Sequence, residues 1–259
     1  MLRQFKEVSL PAEDLCLQPV FDTNFERHSW LIECHGGTEI EVALDRGDIK
    51  ADGKIEPICE VEFELKQGKL DDLLTFVSGL SLTDGIRLSS ASKAKRGYRL
   101  AGLLPLNITD WLDKWHDIIK LGNNADEKTQ EKLTALFNYE QQLIEETLAF
   151  GADYFARDFM LVVERISAFF NLYHYYADNR KLLDNALQER LADSPVQLDE
   201  QALLELSESN TYLLEQIHNL IRQHSENKDN ATVMNKLSDL LHTGQYVKRM
   251  INLIKLTVK

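Results

Sequence analysis

The chain has 259 residues, enough for one large domain or two ordinary ones, each with a buried core. Acidic residues outnumber basic ones in both halves: 13 Lys and Arg against 18 Asp and Glu over residues 1–104, and 16 against 24 over residues 105–259. Neither half has the basic excess of a nucleic-acid binder, although a local basic cluster can still hold a polyanion. No apolar run approaches the roughly 18 residues that span a bilayer, so no membrane association is expected.

The N-terminal residues Met1–Lys6 lack the apolar stretch of a signal peptide, which points to a cytoplasmic protein. Cys16, Cys34 and Cys59 lie far apart and form no CxxC pair, so they are expected to be reduced packing residues. Residues 30–34 read as a strand, and the His35-Gly36-Gly37-Thr38 segment reads as a hairpin connection. Residues 39–45 alternate polar with apolar and read as a second strand. Arg46-Gly47-Asp48 is a turn signal, followed by a short return at Ile49-Lys50. After Ala51–Lys54, residues 59–65 alternate again, with Glu60, Glu62 and Glu64 on one face and Val61, Phe63 and Leu65 on the other. Leu70, Leu73, Leu74 and Val77 recur at helical spacing and predict a helix over about 69–80. Residues 86–100 read as extended and basic.

The period changes near Gly102–Pro105. Asn107-Ile108-Thr109-Asp110 opens a helical region. Phe159, Val162, Ile166, Phe169 and Tyr173 form one apolar stripe, and Leu206, Leu213, Ile217 and Leu220 form another. Ser194-Pro195 and the polar run 225–230 punctuate the helices, and five or six helices in a bundle are expected. His174 and His218 read as packing or surface residues, and Arg157, Arg165, Arg180, Lys181 and Arg190 as scattered charges.

Two segments carry chemistry. Glu60, Glu62 and Glu64 on one strand face either sit in water or point into a lumen, where their mutual repulsion calls for a divalent cation or basic residues. Mg²⁺ takes oxygen ligands and bridges carboxylates to phosphates, so paired glutamates at i, i+2 suit it. In the basic segment, a strand would send Lys93, Lys95, Gly97 and Arg99 to one face and Arg96 and Tyr98 to the other. That segment is either a solvated edge strand blunted by charge or a phosphate-recognition element.

Together, Leu17–Trp30, Ile40–Ala51, Glu56–Leu65 and Ser92–Tyr98 resemble, in order and spacing, the CYTH superfamily of triphosphate tunnel metalloenzymes. The nearest likeness is to its bacterial inorganic triphosphatases with a C-terminal helical CHAD domain. The resemblance implies an α+β protein. A partial antiparallel β-barrel in residues 1–104, the C-terminal half of a CYTH tunnel, would be followed by a helical CHAD-like bundle in residues 105–259. It implies that Glu60 and Glu62 hold Mg²⁺ or Mn²⁺, with Glu41 or Asp45 adding a further carboxylate. It implies that Arg27, Lys93 and Arg96 contact substrate phosphates, Arg96 less directly if it faces outward. The family's opening Glu-x-Glu-x-Lys strand has no match; Glu13-Asp14 and Arg3-x-x-Lys6 have the wrong order and spacing. The N-terminal half of the tunnel is therefore expected to be missing, leaving either an impaired remnant or a piece completed by a second chain or a homodimer. Inorganic triphosphate or polyphosphate is the expected partner. Three functions compete: a metal-dependent inorganic triphosphatase, a polyphosphate- or nucleotide-binding module without turnover, and a helical dimeriser with a vestigial sheet.

Overall fold

The computed structural model describes residues 18–34, 36–121, 129–179, 181–193 and 200–257. Arg3, Lys6, Glu13, Asp14, Cys16, Leu17, His35, Arg180 and Ser194-Pro195 lie outside the described residues. Three strands come first: β1 (Asp22–Cys34), β2 (Thr38–Ala51) and β3 (Lys54–Gln67). They form one sheet in the order β1-β2-β3. Two tight connections make it antiparallel. Gly36 and Gly37 have φ of +85° and +80°, and Asp52 and Gly53 have φ of +48° and +74°. Two successive left-handed residues are the type I′ geometry, whose twist matches that of the flanking strands.

Arg46-Gly47-Asp48 is not a turn; β2 runs straight through it. Gly47 serves a different purpose. A Cβ there would overlap the Asn24 carbonyl and the backbone of Phe25, so the glycine is needed for the close approach of β1. The segment 86–100 also departs from expectation. It is not a strand: residues 93–100 form helix α2 (Lys93–Leu100), after α1 (Leu70–Ser78). Ser92 is its N-cap and accepts a hydrogen bond from the Lys95 N–H at 3.2 Å. Lys, Ala and Arg are good helix formers, and charge at every second position mimicked strand alternation.

The described residues form two compact units. One contains residues 18–28, 44–60 and 91–105; the other contains 29–43, 61–90 and the described residues from 106 onward. In the first unit, the β2 side chains of Asp45, Ile49 and Ala51 are buried, and Ile58 is buried on β3. In the second unit, Thr38 and Ile40 are buried instead. There α1 covers the sheet through Leu73 and Leu74, which pack with Ile40, Ile32, Val42, Phe63, Leu65 and Ile254. The Thr38 hydroxyl donates to Asp72 at 2.5 Å and accepts from the Lys69 N–H at 3.3 Å, which fastens the start of α1 to β2.

The rest of the second unit is helical: α3 (Trp111–Leu121), α4 (Thr129–Phe150), α5 (Ala152–Ala156), α6 (Phe159–Asp178), α7 (Lys181–Asp193), α8 (Glu200–Asn227), α9 (Asn230–Leu241) and α10 (Gly244–Thr257). That is eight helices among the described residues rather than five or six. Local breaks account for the surplus: Gly151 at φ +78° separates α4 from α5, and the Asp158 and Asp229 carboxylates cap new starts at α6 and α9. Helix α6 packs on α8, α5 on α9, α4 on α7, and α10 on α4 and α8. Val162, Ile166, Phe169 and Tyr173 are buried as the stripe requires. Phe159, in the first turn, is 48% exposed and stacks on His224. The second stripe, Leu206, Leu213, Ile217 and Leu220, is buried throughout. His174 and His218 are on the surface, each with its ring 5.3 Å from that of Phe170.

A charged network is embedded in this core. One oxygen of Glu140 accepts from Tyr246 Oη at 2.5 Å, Arg249 Nη1 at 2.6 Å and Tyr173 Oη at 3.0 Å, and Arg249 also donates to Asn210 at 2.7 Å. Burial and the neighbouring Glu140 carboxylate push the Tyr173 phenol well above its usual range. Arg165 is the second buried guanidinium, paired with Glu146 at 2.6 Å and lying over the Phe155 ring. Stripe analysis passes over such pairs because a lone charge on an apolar face reads as solvated. Removing one member strands the other in the core, at a cost of about 3–5 kcal/mol, whereas replacing both with apolar groups of similar volume is far less costly. Chemical denaturation should therefore show Arg249→Met and Glu140→Leu each strongly destabilising. The double variant should lose much less than their sum; additive losses would refute the coupling.

Candidate functional site

The site belongs to the first unit. Asp45 on β2 has a fully buried side chain, and three cations surround the Asp45–Glu60 pair. Arg27, on β1, holds Asp45 with both ends of its guanidinium fork: Nε to Oδ1 at 2.7 Å and Nη2 to Oδ2 at 2.6 Å. Lys93, in the first turn of α2, contacts Asp45 Oδ2 at 2.6 Å and also Glu60 Oε1 on β3. Arg96, one helical turn on, donates to Glu60 at 3.0 Å, Glu56 at 2.5 Å and the Pro57 carbonyl at 2.5 Å.

The helix explains why Lys93 and Arg96 act together. At i and i+3 they share a helix face, whereas on a strand they would point in opposite directions. Gly97 lets α2 dock, because a Cβ there would run into the Phe21 ring. Tyr98 meets Phe21 edge-to-face at 5.1 Å. Arg96 does not face outward. All its contacts run to β3, and it braces α2 against that strand.

Asp45 and Glu60 each offer an oxygen within 4.8 Å of the other, and Glu62 follows Glu60 at i+2 along β3, in the second unit. Glu62 is exposed and Glu60 half-buried. Glu41 goes elsewhere: in the second unit it pairs with Lys66 at 2.6 Å, and Lys66 also reaches Glu64 at 2.9 Å. Of the two candidates for the extra carboxylate, Asp45 is therefore the one beside Glu60. An all-carboxylate donor set of this kind fits a hard, oxygen-seeking cation such as Mg²⁺ or Mn²⁺ rather than zinc.

Sequence reasoning gave no role to Phe25, Glu56 or Phe21. The Phe25 ring lies 5.0 Å from Lys93 Nζ and 5.7 Å from the Arg27 guanidinium, a cation–π platform shared by both. Its signal was available: two residues before Arg27, Phe25 is on the same strand face. Glu56 could likewise have been found, four residues before Glu60 on one face.

The Arg27 hydrogen bonds, joined by Lys93, outweigh burial and hold the Asp45 carboxyl down at about 2, from an ordinary 3.8. A depressed carboxylate stabilises the fold above its unfolded value, and that contribution is lost as pH falls through the folded one. Thermal melts should therefore show a loss of stability between about pH 4 and pH 2. In Asp45→Asn that limb should flatten, the variant being less stable than the parent at pH 7 and closer to it at pH 2. An unchanged acid limb would contradict the assignment to Asp45.

The chain is thus an α+β protein in which Arg27, Asp45 and Glu60 of one antiparallel sheet meet Lys93 and Arg96 of α2. Residues 3–98 match the CYTH domain family. The chain is also 45% identical over 244 residues to a Haemophilus influenzae protein named inorganic triphosphatase, a match covering 93% of this chain and 66% of that protein. The chain thus spans just under two thirds of its relative's length, and the similarity extends through most of the helical region. The expectation that half of the CYTH domain is missing finds no support, since the family match runs from residue 3 to residue 98. Among the described residues, no helix is long and apolar enough to cross a membrane.

Proposed function

We propose that this chain is a metal-dependent triphosphatase acting on inorganic triphosphate, in the cytoplasm. The observation that carries the reading is the interleaving of Arg27 and Lys93 with Asp45 and Glu60 in one cluster. The named activity of the Haemophilus relative points the same way. The domain assignment belongs to the same proposal: a CYTH part in residues 1–104 and a CHAD-like helical part in 105–259. So does the tunnel: β1 and β3 are the edges of the sheet among the described residues, where further strands, from this chain, a second copy or another chain, would close a barrel.

In this reading Arg27 and Lys93 bind the phosphate oxygens through charge-assisted hydrogen bonds. Arg96, committed to Glu56, Pro57 and Glu60, keeps α2 in place and so aims Lys93. Asp45 and Glu60 would hold Mg²⁺ or Mn²⁺, with Glu62 the next carboxylate along β3; when bound, the metal would neutralise phosphate charge and polarise the phosphoryl oxygen. Phe25 offers both cations the face of its ring.

Phosphate release from tripolyphosphate, with and without Mg²⁺ or Mn²⁺, tests the reading. Turnover should require the metal and fall by on the order of 10²–10⁴ in the Glu60→Ala, Glu62→Ala variant. Lys93→Ala should weaken tripolyphosphate binding, with a steep dependence on salt. Binding without release would make the chain a polyphosphate- or nucleotide-binding module, and neither binding nor release would end the proposal. A metal-dependent rate far below that of the Haemophilus relative would mark an impaired enzyme.

A further inference from the structure

The carboxylates that would hold a metal and the cations that would hold a phosphate are bound to each other. Lys93 Nζ lies between Asp45, at 2.6 Å, and Glu60, where a divalent ion shared by the two would also lie. Resting on the reading above, we infer that Lys93 is a built-in surrogate cation. It keeps the carboxylate pair neutralised until a polyanion draws it away, so metal and triphosphate binding are coupled through the exchange of its partners.

Three observations support this. First, the pairs are tight and shielded: Asp45 is fully buried and the Lys93 side chain is 14% exposed, so a competing ion must displace the ammonium rather than bind beside it. Second, the three cations differ in chemistry. Arg27 grips Asp45 with a two-point fork, and Arg96 is fixed by three partners. Lys93 is a compact charge on a flexible four-carbon stem, the member of the set best able to swing from carboxylate to phosphate. Third, Lys93 already has a second resting surface in the Phe25 ring, at 5.0 Å. That contact stabilises the ammonium without holding it to a carboxylate.

The exchange has a thermodynamic consequence. Metal alone must evict Lys93 from Asp45 and Glu60. Triphosphate alone must draw Lys93 off, leaving Asp45 to Arg27 and Glu60 to Arg96 with one positive charge fewer between them. With both ligands present, the metal replaces the charge that Lys93 takes to the phosphate. By linkage, each therefore tightens the binding of the other by the same factor, typically about 5–150-fold.

Two binding measurements, both made without turnover, test this on the full chain. The first titrates Mn²⁺ alone, with no polyanion present, into the wild type, Lys93→Met and Lys93→Arg, followed by electron paramagnetic resonance. Lys93→Met should bind Mn²⁺ at least about 5-fold more tightly than the wild type, while Lys93→Arg, which keeps the charge, should not. The second titrates metal-free tripolyphosphate in the presence of EDTA by calorimetry. Glu60→Gln, which releases Lys93 from one carboxylate, should bind the anion more tightly than the wild type. Circular dichroism melts confirm that each variant is folded; a variant that is not is replaced by Lys93→Gln or Asp45→Asn, read in the same way. Unchanged or weaker Mn²⁺ binding in the folded charge-removed variant, or unchanged anion binding in the folded carboxylate variant, would overturn the exchange. Absence of tripolyphosphate hydrolysis would remove the proposed activity and leave these affinities to stand or fall by themselves.

Discussion

The ammonium of Lys93, bound between Asp45 and Glu60, is the contact on which the first unit depends. It joins three elements remote in sequence: the middle of β2, the middle of β3 and the first turn of α2. Two carboxylates this close would repel strongly without cations beside them; α2 supplies Lys93 to both and Arg96 to Glu60, and β1 supplies Arg27 to Asp45. The surrounding features all secure that placement. Ser92 starts the helix at the right residue, Gly97 and Phe21 let it lie close, and Arg96 ties it to β3. The glycine at position 47 brings β1 near enough to β2 for Arg27 to take both oxygens of Asp45.

The second unit solves a different problem with the same kind of interaction. Its buried face on β2 is apolar around Ile40, and α1 covers it with leucines. Deeper in the helical part, however, Glu140 and Arg249 form an ion pair away from water, with Tyr173, Tyr246 and Asn210 satisfying part of the remaining hydrogen-bonding capacity. One Glu140 oxygen and the Tyr176 hydroxyl have no hydrogen-bond partner among the described residues. Such a network adds little net stability relative to apolar packing, but it penalises any rearrangement that separates its members. In the first unit Arg27 and Glu60 of the cluster are partly exposed to solvent; in the second both members of the Glu140–Arg249 pair are buried. Position relative to water makes the difference, because the cost of breaking a pair grows as the surrounding dielectric falls.

The sequence by itself determined the elements whose pattern is local. Alternation along 39–45 and 59–65, the glycines at 36–37 and 53, and the helical spacing of 70–77 and 162–173 each report a backbone preference that acts within a few residues. Family likeness, carried by the order of Arg27, Asp45, Glu60, Glu62 and Lys93, was legible for the same reason. Three things depend on tertiary structure. Gly47 looked like a turn because its role depends on a neighbouring strand. Residues 93–100 looked extended because a helix of alternating charges is recognisable only from its cap and its docking surface. The choice between Glu41 and Asp45 could not be made along the chain, since both lie on one face of β2; it depends on which cation the fold brings to each, Lys66 to the one and Arg27 with Lys93 to the other. Ion pairs between residues dozens of positions apart leave no periodic trace, so their partners become known only when the chain is folded.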